Sequence, residues 1–111
     1  MTMSQINKIA VIGAGNMGSG IAQKIAQEGI NVVMVDMKEE FVEHGIDIIR
    51  QTLKEAVERK ILNSDQLHDV LSRIIGTCDL EMVADADLVI EAVFEDKQVK
   101  FDLFDKLGIG D

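Results

Sequence analysis

With 111 residues, 47% of them apolar and 28% charged, the chain is sized for one domain around one core, and its composition is neither disordered nor fibrous. Its formal net charge of -9 repels nucleic acid and anionic membrane, and four Phe with no Tyr or Trp leave no stacking platform for single strands. The single cysteine, Cys78, excludes an internal disulfide and a cysteine-rich zinc site, and reads as a small buried apolar residue.

Residues 1–8 carry no basic region followed by a long apolar run, and no apolar run approaches the ~20 residues of a membrane span. The expectation is a soluble, cytoplasmic protein without membrane contact. Residues 8–13, KIAVIG, form a short apolar run closed by glycine, the pattern of a strand buried on both faces. Beyond the turn, Met17, Ile21, Ala22, Ile25 and Ala26 recur at helical spacing, and Gly29 is placed to stop that helix. Gly20 sits inside it at a cost of about 1 kcal/mol, which points to close packing of helix on sheet.

Residues 31–35, NVVMV, make a second strand ending at Asp36. Residues 38–60 return to helical spacing, with Phe41, Val42, Ile46, Ile49, Leu53 and Val57 on one face. Such a helix would run roughly 35 Å and project past the sheet. Asn63-Ser64-Asp65-Gln66 offers a capping box for a short helix to residue 72, so residues 38–72 read as a helical hairpin. A weak third strand at 73–77 follows, then a short segment at 80–87 with room for one helical turn, a stronger fourth strand at 88–94 and a helix at 97–107.

This order predicts an α/β, Rossmann-type fold: a largely parallel open sheet in the order 3-2-1-4 with an inserted helical hairpin. It is just over half of a complete dinucleotide-binding sheet, so the chain reads as incomplete relative to the full domain.

Gly13-x-Gly15-x-x-Gly18 is a G-x-G-x-x-G turn, in which the glycines turn tightly, admit a pyrophosphate to the backbone and let helix pack on strand. The pattern alone is weak, but here it follows a buried strand, opens a helix and precedes an acidic residue at the end of the next strand. The turn residues Gly13, Ala14, Gly15, Asn16, Met17 and Gly18 are therefore candidate cofactor contacts, with the amides of Asn16, Met17 and Gly18 facing an anion at the helix start. Asp36 is the candidate acceptor for the adenosine ribose hydroxyls and favours NAD over NADP, since a 2′-phosphate would lie beside a carboxylate. Met37 brings no arginine to offset that charge, although Lys38 lies one residue on. The competing accounts are a tight turn with no ligand and an Asp36 that merely caps its strand. Gly-Lys-Ser/Thr and Gly-x-Ser-x-Gly are absent, His44 and His68 read as solvated helix positions, and no metal constellation assembles.

Four segments resemble the NAD-binding domain of the 3-hydroxyacyl-CoA dehydrogenases: KIAVIGAGNMGSGIA at 8–22, VVMVD at 32–36, RIIGTCDL at 73–80 and ADLVIEAVFEDKQVKFDLFDKL at 86–107. The last discriminates most, because its Glu-Ala-Val-x-Glu and the Val-Lys-x-x-x-Phe after it are not demanded by the fold. The resemblance implies NAD as cofactor and oxidation of an (S)-3-hydroxyacyl-CoA to its 3-oxoacyl-CoA by hydride transfer, in fatty-acid metabolism. It matches the turn to the pyrophosphate loop, Asp36 to the ribose carboxylate, and Glu95 and Lys100 to an acid and a lysine beside the cofactor. Glu91, within the fourth strand, reads as structural first and site-lining second.

The hairpin resembles one that helps hold coenzyme A, with Thr52 and Arg59 as counterparts of its contacts; Arg50, Lys54, Arg59 and Lys60 make it locally basic. A solvated helix face with Glu55 and Glu58 intermixed accounts for it equally well. The family's catalytic histidine, glutamate, serine and asparagine have no counterpart in residues 1–111, so the expectation is NAD binding without turnover by this chain alone. The family further implies an acyl-CoA substrate and a homodimer formed through a helical domain that is not in this chain, and strand 88–94 could pair with a second copy. The other readings are a related β-hydroxyacid dehydrogenase, against which the hairpin argues, and a non-catalytic nucleotide-sensing module, against which residues 88–107 argue.

Overall fold

The computed structural model describes residues 6–92. Four strands, β1 (Lys8–Ile12), β2 (Asn31–Val35), β3 (Ile74–Thr77) and β4 (Leu88–Glu91), form one sheet in the order β3-β2-β1-β4, with every pairing parallel. This is the expected order. Among the described residues the helices are α1 (Asn16–Gln27), α2 (Glu39–Glu58) and α3 (Ser64–Ser72), and a 3-10 turn, Leu80–Val83, lies where one helical turn was expected.

The strands are apolar at successive positions because the central ones are buried on both faces. Val11, Val32 and Met34 join Ala22 and Ala26 of α1, Ile49 and Leu53 of α2 and Val70 of α3 in one core. On the other side, Ala10, Val33 and Val35 pack with Val83, and Leu80, Met82 and Val89 complete that layer. The helical layer thus occupies one face, while among the described residues the opposite face is covered by the 3-10 turn and its flanks.

The capping box at α3 forms as read: the Asn63 side chain accepts from the Gln66 amide at 2.8 Å, and the Gln66 side chain accepts from the Asn63 amide at 2.9 Å. The hairpin projects less than its length suggested. Ile49 and Leu53 are fully buried, so α2 stays packed to Leu53, and Glu58, Arg59 and Lys60 are exposed where the chain turns.

Several expectations are corrected. Gly20 does not pack on the sheet: it is exposed, and a Cβ there would meet nothing within 4 Å. Turning by about 100° per residue, α1 directs Gly18, Ser19 and Ala22 inward instead. Met17 and Phe41 sit at helix starts above the sheet and are 54% and 45% exposed rather than core. Phe41 instead carries the Lys38 ammonium 5.6 Å from its ring centroid. Cys78 is exposed, since it follows the short edge strand β3. Some desolvation, then the carboxylates of Glu39 and Asp36, hold its thiol above the ordinary value, which makes it a poor nucleophile. Arg73, read as strand, caps the C-terminus of α3 and donates to the Ala26 carbonyl at 3.0 Å, at the end of α1.

Candidate nucleotide site at the carboxyl ends of the strands

The chain reverses its direction of sheet growth between β1, which leads to β2 and β3 on one side, and β4 on the other. Open α/β sheets bind ligands at the carboxyl ends of strands at such a switch point. The glycine turn lies there. The strand ladders run up to it, with the Gly13 amide donating to Val35 O at 2.7 Å and the Ala92 amide donating to Ile12 O at 2.8 Å.

The turn is shaped by backbone constraints. Gly13 has φ 110°, a conformation that a side chain would strain. At Gly18, a Cβ would overlap the Gly13 carbonyl, so α1 can start this close to β1 only with glycine there. Gly15 differs: a Cβ there would meet nothing within 4 Å, so its backbone faces open space. Gly15 is also the N-cap of α1, with no side-chain capping bond and no acidic residue in the first turn. The amides of Asn16, Met17 and Gly18 at that start therefore form a positive helix end suited to an anion.

Asp36 follows β2, and its carboxylate reaches across to the turn. Oδ2 accepts from the Ala14 amide at 2.8 Å and Oδ1 accepts from the Met37 amide at 2.7 Å. A carboxylate offers about four acceptor sites, so capacity remains for ribose hydroxyls. The strand-cap role and the nucleotide role are thus compatible. Because Asp36 already engages the Ala14 amide, Ala14 contributes to the site through that link rather than as a spare donor. The Asp36 carboxylate, the open backbone at Gly15 and the uncapped helix start together fit a dinucleotide, and the carboxylate disfavours a 2′-phosphate.

Glu91 ends β4 in register with Ile12, directly beside the turn, and is half-buried. Glu95 and Lys100 lie outside the described residues. Thr52 and Arg59 are exposed on α2 and at its C-terminal cap; the Thr52 hydroxyl donates to Ile48 O at 2.8 Å. At 1.5 Å per residue they stand roughly 10 and 21 Å along the axis from Gly45, the α2 residue that touches the turn. They are therefore not brought together with Asp36. His44 and His68 are exposed, and among the described residues no group of three or more metal-ligating side chains could hold a metal ion.

Two contributors escaped the sequence reading. Asp87 Oδ2 accepts from the Asn7 and Lys8 amides at 2.8 and 3.1 Å, fastening the start of β1 to the loop before β4. No local pattern signals a bond across 80 residues. Gly45 lies on the buried face of α2, and a glycine amid Val42, Ile46 and Ile49 was the signal available.

The family model described as "3-hydroxyacyl-CoA dehydrogenase, NAD binding domain" matches residues 8–109. A probable 3-hydroxybutyryl-CoA dehydrogenase of Deinococcus radiodurans is 48% identical over 101 residues, which are 91% of this chain and 36% of that protein. The 3-hydroxyadipyl-CoA dehydrogenase of Escherichia coli is 39% identical over 106 residues, 96% of this chain and 22% of that protein. Among solved structures, (S)-3-hydroxybutyryl-CoA dehydrogenase PaaH1 from Ralstonia eutropha superposes with a TM-score of 0.90 at 33% identity, covering 95% of this chain and 38% of that one. The chain thus spans between 22% and 38% of the length of these relatives. A parallel 3-2-1-4 sheet, a glycine turn backed by Asp36 and a family match from 8 to 109 converge on one assignment: the chain belongs to the 3-hydroxyacyl-CoA dehydrogenase family, as its NAD-binding domain.

Proposed function

We propose that this domain holds NAD for the oxidation of an (S)-3-hydroxyacyl-CoA to the 3-oxoacyl-CoA, within a dehydrogenase of fatty-acid metabolism. The observation that carries the reading is the join between turn and acid, where the Asp36 carboxylate fixes the Ala14 amide at 2.8 Å beside an uncapped helix start. Bound there, NAD supplies the hydride acceptor. This chain's residues bind and orient it: the first-turn amides meet the pyrophosphate, Asp36 accepts from the ribose, and the resemblance adds Glu95 and Lys100 beside the cofactor.

The base that removes the hydroxyl proton has no counterpart among residues 1–111, so this chain supplies binding rather than proton transfer. Thr52 and Arg59 are the proposed coenzyme A contacts, supported by the local cluster of Arg50, Lys54, Arg59 and Lys60 along the far half of α2 and just past its end. A homodimer formed through a further helical domain, self-pairing along β4 (Leu88–Glu91) and a cytoplasmic location complete the proposal. The three relatives above are all named as dehydrogenases of a 3-hydroxyacyl-CoA, which supports the substrate class.

The test follows NADH formation by a protein carrying this domain, with (S)-3-hydroxybutyryl-CoA and with the free hydroxy acid. Turnover of the thioester with negligible turnover of the free acid is expected. Equal turnover of both would favour a β-hydroxyacid dehydrogenase.

A further inference from the structure

α2 is an amphipathic helix whose inward positions are Val42, Ile49 and Leu53, yet it places a glycine on that same buried face. Within a helix, glycine costs about 1 kcal/mol relative to alanine, and alanine would satisfy the apolar pattern. The reason lies above the sheet. A Cβ at Gly45 would stand 2.5 Å from the Ala14 carbonyl oxygen, 3.0 Å from the Ala14 Cβ and 3.0 Å from Met34 Cε. The first of these is backbone of the glycine turn itself. Ala14 is also the residue whose amide donates to Asp36 at 2.8 Å. One residue of the turn is thus held from two directions, by the Asp36 carboxylate just after β2 on its amide side and by α2 on its carbonyl side.

We propose that Gly45 is a positioning residue for the nucleotide turn: lacking a side chain, it lets α2 rest on the Ala14 carbonyl and so sets the height of the turn against Asp36. Adding one methyl group there must either lift α2 or push Ala14 away from the carboxylate. This rests on the nucleotide reading of the turn only for its effect on NAD; the effect on Ala14 stands without it.

Gly76 supplies the control. A Cβ there would meet the same helix, 2.5 Å from Val42 Cγ1 and 3.4 Å from Ile46 Cγ1, but only at side-chain ends and away from the turn. Gly45→Ala and Gly76→Ala are compared with the unmodified chain for thermal stability, for hydrogen exchange of the Ala14 amide and for NAD affinity by calorimetry. Gly45→Ala is expected to speed Ala14 exchange and weaken NAD, each about tenfold. Gly76→Ala is expected to lower stability while leaving both near the original values. Should Gly45→Ala fold poorly, Gly45→Ala with Met34→Val removes the movable neighbour and keeps the carbonyl contact, and the same two losses are expected.

Unchanged Ala14 exchange in the Gly45 variants, or equal changes in the Gly76 variant, would overturn the proposal. If the unmodified chain binds no NAD, the nucleotide reading falls, and Ala14 exchange still decides the role of Gly45.

Discussion

At the glycine turn, position is fixed by backbone groups and one carboxylate: Gly13 N on Val35 O, Ala14 N on the Asp36 side chain, and the absence of a Cβ at Gly18. In the helical hairpin, position is fixed by the apolar side chains Ile49, Leu53 and Val70, and the polar residues that could meet a ligand stand in solvent. A site built of backbone tolerates almost no change in residue size, whereas one built of exposed side chains leaves the fold indifferent to them. Substitutions separate the two regions.

The largest effect belongs to the turn. Gly18→Ala places a methyl group against the Gly13 carbonyl, and overpacking of this kind costs about 3 kcal/mol. A lowered urea midpoint together with lost NAD binding is the expected result. Next is Arg73→Met, which keeps the aliphatic stem but removes the guanidinium from the Ala26 carbonyl at the end of α1. Losing a charged hydrogen bond to a helix C-terminus lowers stability by about 1.5 kcal/mol in the same assay, with NAD affinity of the folded protein unchanged.

In the hairpin, Asn63→Ala removes the α3 cap and costs about 1 kcal/mol. Smallest is Arg50→Ala. Its ion pair with Asp47, at 2.9 Å, is exposed on both sides, so the stability change stays under about 0.5 kcal/mol. An effect at Arg50 as large as that at Gly18 would break the contrast between the regions.

The same contrast explains what the sequence disclosed. The order of elements, the 3-2-1-4 sheet and the turn were legible because glycine spacing and unbroken apolar runs are direct images of backbone requirements. The Asn63 cap was legible for the same reason, being a local bond between residues three apart. Phe41, Met17 and Cys78 misled because apolar type was read as burial, and periodicity cannot tell that a helix start stands above the sheet or that a strand lies at its edge. Asp87 and Arg73 act over 80 and 47 residues of separation, where no spacing rule operates. The close packing expected of Gly20 is found at Gly45, to which the sequence reading gave no role: each is a helical glycine, and the three-dimensional direction of its missing Cβ shows which one touches another element.

The central claim is that Asp36 and the glycine turn form one dinucleotide grip that selects NAD. Calorimetric titration of NAD and NADP into the chain and into its Asp36→Ala variant tests it most directly. The account predicts that NAD binds more tightly than NADP and that the substitution weakens NAD about tenfold. NADP binding more tightly than NAD in the unmodified chain, or NAD affinity untouched by Asp36→Ala, would contradict it.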